Sequence, residues 1–117
     1  MFLMKVLIVD DNAQMRKMIC EYLPPQSDVL ECSDGDEAVA VYSLYHPDWV
    51  LMDLKMARMD GITATEEIHK TAPDAKVIIV TNYDDEQTRR AATRVGALIL
   101  SKENLFNLNN LMHEAPV

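Results

Sequence analysis

Val6-Leu7-Ile8-Val9-Asp10-Asp11 sets four apolar residues in a row ahead of two carboxylates. A strand with one wet face alternates apolar and polar side chains, whereas a short unbroken run suits a strand covered on both faces of a parallel sheet. Further runs of this kind are Trp49 to Met52, Val77 to Val80 and Ala97 to Leu100, with a weaker one at Val29 to Cys32. Stretches of helical spacing lie between them. Met15, Met18, Ile19 and Tyr22 fall on one helical stripe before Pro24-Pro25 stops it. A second helix opens near Asp36 and carries Ala38, Val39, Tyr42 and Tyr45 as far as His46-Pro47, and a third runs from about Thr63 to Lys70. Thr88, Ala91, Ala92 and Val95 stripe a fourth that Gly96 closes, and Leu105, Leu108 and Met112 mark the last. This alternation predicts a doubly wound α/β sheet with right-handed crossovers, whose ligands bind outside the carboxyl ends of the strands.

The 117 residues suit a single domain over 1–117, and 49% hydrophobic with 26% charged residues is ordinary globular composition. Eleven Lys and Arg against nineteen Asp and Glu give a net charge of −8, which repels nucleic-acid phosphates and anionic membranes. Neither is an expected partner. Cys20 and Cys32 lack metal-ligand spacing and read as reduced, buried thiols of a cytoplasmic protein. The apolar start from Met1 to Val9 contains Lys5 and lacks a small-residue cleavage site, unlike a secretory signal. No apolar run approaches the roughly 18–20 residues that span a bilayer.

Polar residues gather at the carboxyl ends of the runs: Asp10-Asp11, Asp53, Thr81 and Ser101-Lys102. Any one of the acids alone reads as a helix cap or turn residue. Capping does not explain acid, hydroxyl and ammonium at the same end of four strands. Three carboxylates sharing a crevice repel by roughly 3 kcal/mol per pair, at about 5 Å and an effective dielectric near 20. Proton sharing would relieve this, and so would a hard divalent cation; with no Cys or His in the set, Mg²⁺ is the better answer. Thr81 and Lys102 then complete a site for phosphoryl oxygens, with Asp53 as the nucleophile that forms an acyl phosphate.

Val6 to Asp11, Asp53-Leu54-Lys55-Met56-Ala57-Arg58-Met59-Asp60-Gly61, Thr81 and Lys102 match in order and approximate spacing the motifs of a known family. The chain resembles the receiver domain of a bacterial two-component response regulator. The resemblance implies a flavodoxin-like sheet of strand order 2-1-3-4-5, and a phosphoryl group taken by Asp53 from a phosphohistidine of a sensor kinase or phosphotransfer protein. It implies direct Mg²⁺ ligation by Asp11 and Asp53, help from Asp10 through water, and a ligand from the Lys55 carbonyl. Thr81, Lys102 and the Asn82 backbone amide would contact the phosphoryl group, and the face of the fourth helix, fifth strand and fifth helix would respond. The resemblance implies that the chain is not an enzyme, beyond catalysing its own phosphorylation and dephosphorylation. The segments Glu31 to Ala38 and Thr81 to Glu86, and Glu103 after Lys102, are similar to receivers of LuxR-type regulators. The chain is therefore either a stand-alone receiver or a fragment joined to an output domain, with homodimerisation on phosphorylation left open.

Departures from the family pattern carry expectations of their own. Ala57 replaces a proline, which predicts a more mobile loop, and Ile99 excludes an aromatic toggle. Asn82 is bulkier than usual, which would slow phosphoryl entry. Lys55 and Tyr83 hold the positions that tune acyl-phosphate hydrolysis; neither aligns water well, so slow loss is expected. His46, His69 and His113 read as surface residues, Met15 and Met18 as core, and Trp49 as packed. A phosphatase with an aspartyl nucleophile would need an acid where Lys55 stands, and a flavin or nucleotide carrier would need a phosphate cradle where Asp10-Asp11-Asn12 stands. A degenerate receiver that only docks partners is the remaining alternative.

Overall fold

Each apolar run is a strand: β1 Lys5–Val9, β2 Asp28–Cys32, β3 Trp49–Asp53, β4 Val77–Thr81 and β5 Leu98–Ser101. Between and after them lie α1 Ala13–Glu21, α2 Gly35–Tyr45, α3 Gly61–Thr71, α4 Glu86–Arg94 and α5 Leu108–Glu114, the last preceded by a 3-10 helix over Lys102–Asn107. The structure, a computed structural model, describes residues 3–114; the apolar start at Met1 and Phe2 lies outside them. All strand pairs are parallel, in the order β2-β1-β3-β4-β5, which is the doubly wound, flavodoxin-like sheet expected.

Alternate residues of each central strand face opposite sides, and both sides are covered. Leu7, Val9, Val50, Met52, Val77 and Ile79 pack with Ala38 and Tyr42 of α2, Ala64 and Ile68 of α3 and Ala92 of α4. Val6, Ile8, Trp49, Leu51, Ile78 and Val80 pack on the other side with Ile19 of α1 and with Leu105, Leu108 and Met112. Each large aliphatic side chain so buried contributes roughly 1.5–3 kcal/mol relative to exposure. Three helices, α1, α3 and α4, start where an acid or amide satisfies a free N–H group: Met15 N donates to Asn12, Thr63 N to Asp60 and Thr88 N to Asp85, at 3.0, 2.8 and 2.8 Å. Gly96 follows α4 with φ of 81°, the left-handed conformation that glycine adopts without a Cβ penalty.

Several expectations shift. Met18 is 46% exposed and Tyr22 also faces solvent, because α1 is short and buries Ile19 with Met15, Cys20 and Leu23 beside it. Tyr45 ends α2 outside the core that holds Ala38 and Tyr42. α3 begins at Gly61, since Asp60 is its cap. His46 and His113 are exposed, but His69 is half-buried, its ring nitrogens 2.8 and 2.9 Å from the carbonyl oxygens of Val95 and Ala75. Both cysteines are free, Cys32 buried as expected but Cys20 only half-buried on α1; burial and then the charge of Glu37 push the Cys32 thiol up to about 12. No helix among the described residues is long and apolar enough to cross a membrane.

Candidate functional site

Sheet register decides which side chains meet. Val9 of β1 lies opposite Met52 of β3, so the next residues, Asp10 and Asp53, leave the sheet side by side. Asp53 lies opposite Val80 and Thr81 opposite Ser101, which brings Thr81 and Lys102 out at the same edge. Carboxylate oxygens of Asp10, Asp11 and Asp53 all lie within 4.8 Å of one another. Lys102 Nζ stands 3.2 Å from Asp10 Oδ2 and 3.1 Å from Asp53 Oδ1.

The strand ends are held firmly. Asp10 Oδ1 accepts from Asn12 N at 2.9 Å, and Arg16 Nη1 donates to the Asp10 carbonyl at 2.6 Å while its Nε donates to Glu31 at 2.9 Å. Asp53 Oδ1 accepts from Leu54 N at 3.0 Å. Asp10 Oδ2 is buried with no directed hydrogen bond, so its contact with Lys102 is ionic attraction without alignment. Burial, and next the Asp10 charge, push the Asp53 carboxyl above its ordinary value, with Lys102 and Leu54 N–H offsetting only part. Burial opposes charge on Lys102 as well, but its hydrogen bond to Asp53 and the two carboxylates more than reverse this and raise it.

Three carboxylates and one ammonium leave two negative charges uncompensated around an under-satisfied buried oxygen. That donor set fits a hard divalent cation such as Mg²⁺, which takes oxygen ligands at about 2.0–2.1 Å and keeps waters in its remaining positions.

The other expected site residues stand around this cluster. Thr81 is buried, and its hydroxyl oxygen accepts from Tyr83 N at 2.9 Å, leaving the O–H to donate elsewhere. Asn82 is exposed on the loop after β4. Lys55 lies over a ring instead of pairing with a carboxylate among the described residues, its Nζ 4.3 Å from the centre of the Tyr83 ring. These two side chains, with Leu54, Asp85, Gln87, Thr88 and Ala91, line a cleft of ≈ 300 Å³ between the loops after β3 and β4.

Sequence reasoning missed two groups. Arg16 fixes the Asp10 backbone, and only its place one helical turn after Asn12 hinted at it. Asp34 is buried, and its carboxylate accepts from Arg58 N at 3.0 Å and Met59 N at 2.9 Å in the loop after Asp53. Nothing local announces that pairing, because the partners lie 24 and 25 residues away.

Comparison with known proteins follows the same lines. A family model described as "Response regulator receiver domain" matches residues 6–114. The response regulator protein VraR of Staphylococcus saprophyticus is 42% identical over 101 residues, covering 82% of this chain and 48% of that protein. The chain thus spans about half the length of the curated relatives it matches. A LuxR-family two-component response regulator from Aurantimonas superposes with a TM-score of 0.83 at 25% identity, covering 96% of this chain and 86% of that one. The CheX-CheY-BeF3-Mg+2 complex of Borrelia burgdorferi gives a TM-score of 0.77 at 29% identity, covering 83% of this chain and 76% of that one.

Proposed function

The chain belongs to the response regulator receiver family, as a LuxR-type receiver of two-component signalling, and on that basis we propose that Asp53 accepts a phosphoryl group from a histidine kinase or phosphotransfer protein. The observation that carries this is the Lys102 ammonium held between Asp10 and Asp53 inside a cluster of three carboxylates. Asp10, Asp11, Asp53 and the Lys55 carbonyl would hold Mg²⁺, which draws charge from the phosphoryl oxygens when bound. The name of the Borrelia CheY complex, which pairs BeF3 with Mg+2, supports the same reading.

Both protein contacts of Asp53 fall on Oδ1, and no donor among the described residues engages Oδ2, which we assign as the nucleophile. Oδ2 forms the new bond to phosphorus as the phosphorus–nitrogen bond of the donor breaks, and the imidazole leaves with its electron pair. Thr81 O–H, Lys102 Nζ and the Asn82 N–H then hold the phosphoryl oxygens, and the face of α4, β5 and α5 repacks around them. We take residues 1–117 as one receiver unit that passes its state to an effector or to a linked output domain, with homodimerisation as one outcome. A cytoplasmic setting suits such an exchange.

The test is intact-mass spectrometry after incubation with acetyl phosphate and Mg²⁺. One added phosphoryl group, absent without the metal and absent in Asp53→Asn, is expected. An unmodified wild-type chain would overturn the reading.

A further inference from the structure

The loop between β3 and α3 begins at the acceptor Asp53 and contains Lys55, and Ala57 stands where the family's proline would stiffen it. It is nevertheless held at three places. Gly61 N donates to the Leu54 carbonyl at 2.8 Å and closes the base of the loop. The Arg58 side chain reaches back to α2, with Nε and Nη2 donating to the two Asp36 oxygens at 2.8 and 3.1 Å and Glu37 3.6 Å away. Beneath both lies Asp34, 3% exposed, whose two carboxylate oxygens each take one N–H, from Met59 and from Arg58.

Two features separate Asp34 from an ordinary helix cap. It sits at the N-cap position of α2, yet its side chain makes no capping hydrogen bond there. The glycine after it lets α2 and the loop touch: a Cβ on Gly35 would collide with the Met59 carbonyl oxygen and lie 3.0 Å from Ala64 Cβ. A buried carboxylate is tolerated only with donors aimed at it. Burial pushes the Asp34 carboxyl up, but the N–H groups of Arg58, Met59 and Asp36 and then the Arg58 charge outweigh it and leave it below the ordinary range. Asp34 is therefore an anion with two backbone N–H groups of the loop directed at it.

We propose that Asp34 is a positioning residue for the phosphoryl site: by clamping Arg58 and Met59 it takes the place of the missing proline and fixes the loop that carries the Lys55 carbonyl to the metal. The inference rests on the reading of Lys55 and the acid cluster as a Mg²⁺ site. Groups that orient a metal ligand from outside its coordination shell typically change metal affinity by about 10- to 100-fold when removed.

Calorimetric titration with Mg²⁺, paired with amide hydrogen exchange read residue by residue, tests it. Asp34→Ala is expected to weaken Mg²⁺ binding by about tenfold or more and to speed exchange at Arg58 and Met59 while β3 amides stay protected. Asp34→Asn keeps the shape and one acceptor but turns an NH₂ toward the second N–H, and it should show a smaller loss in the same direction. Adding Ala57→Pro to Asp34→Ala should recover most of the affinity, because proline stiffens the same loop by another route. Wild-type affinity in Asp34→Ala would overturn the clamp while leaving the magnesium reading intact. So would general loss of protection across the sheet with no recovery by Ala57→Pro, in both Asp34 variants. A wild-type chain that takes up no Mg²⁺ would remove the magnesium reading and the clamp's role with it.

Discussion

Lys102 is the internal counter-ion of the site, and Asp53 shows that one ammonium is not enough. Its carboxyl stays above the ordinary value because burial and Asp10 outweigh Lys102. A carboxyl raised in the folded protein binds its proton more tightly there than in the unfolded chain, so ionising it costs stability. That cost is absent below the ordinary carboxyl value of 3.8 and complete once pH exceeds the raised folded value. Asp53→Asn should therefore melt a few degrees higher than wild type at neutral pH without metal, and the difference should vanish on acidification toward that range. Adding Mg²⁺ should raise the wild-type melting temperature and move the variant much less; equal shifts would contradict the cluster as the binding site. Asp10, Asp11, Asp53, Thr81 and Lys102 were legible in the sequence because each directly follows or ends a buried run. Asp34 was not, since its role depends on a loop that arrives from the far side of β3.

Short helices and loops show where pattern reading slips. In α1 the spacing of Met15, Met18, Ile19 and Tyr22 suggests one apolar stripe, but a nine-residue helix can bury only a narrow part of it, and rotation about its axis follows the sheet surface beneath. Ile19→Ala should lose about 2–4 kcal/mol in urea unfolding, and Met18→Gln should stay within about 0.5 kcal/mol; the reverse order would contradict the packing. Between the loops after β3 and β4, the Lys55–Tyr83 stack covers one wall of the cleft. A cation over an exposed ring contributes about 0.5–1 kcal/mol. If the stack shields the acyl phosphate, Tyr83→Ala should speed loss of the label about two- to fivefold, measured by following intact mass after donor removal. Unchanged decay would contradict shielding by the stack.

The sheet itself was read correctly at its centre and most weakly at one border. β1, β3 and β4 have neighbours on both sides and bury nearly every residue, so their sequences are unbroken apolar runs. β2 pairs only with β1 and leaves Asp28 and Glu31 in solvent, which diluted its signal. Covering both faces makes each central residue count: Leu51→Ala and Ile79→Ala, on opposite faces, should each cost about 2–5 kcal/mol by denaturant titration. Domains of ordinary stability have only about 5–15 kcal/mol in total, so the pair together should leave little folded protein. The site draws on β1, β3 and the residue after β5, so Lys102 is made long after the acids it contacts, most of the chain after Asp10 and nearly half of it after Asp53. A polypeptide still leaving the ribosome already carries Asp10, Asp11 and Asp53 but not the cation that balances two of them. Until Lys102 emerges, Asp10 and Asp53 lack the ammonium that stands between them in the folded protein.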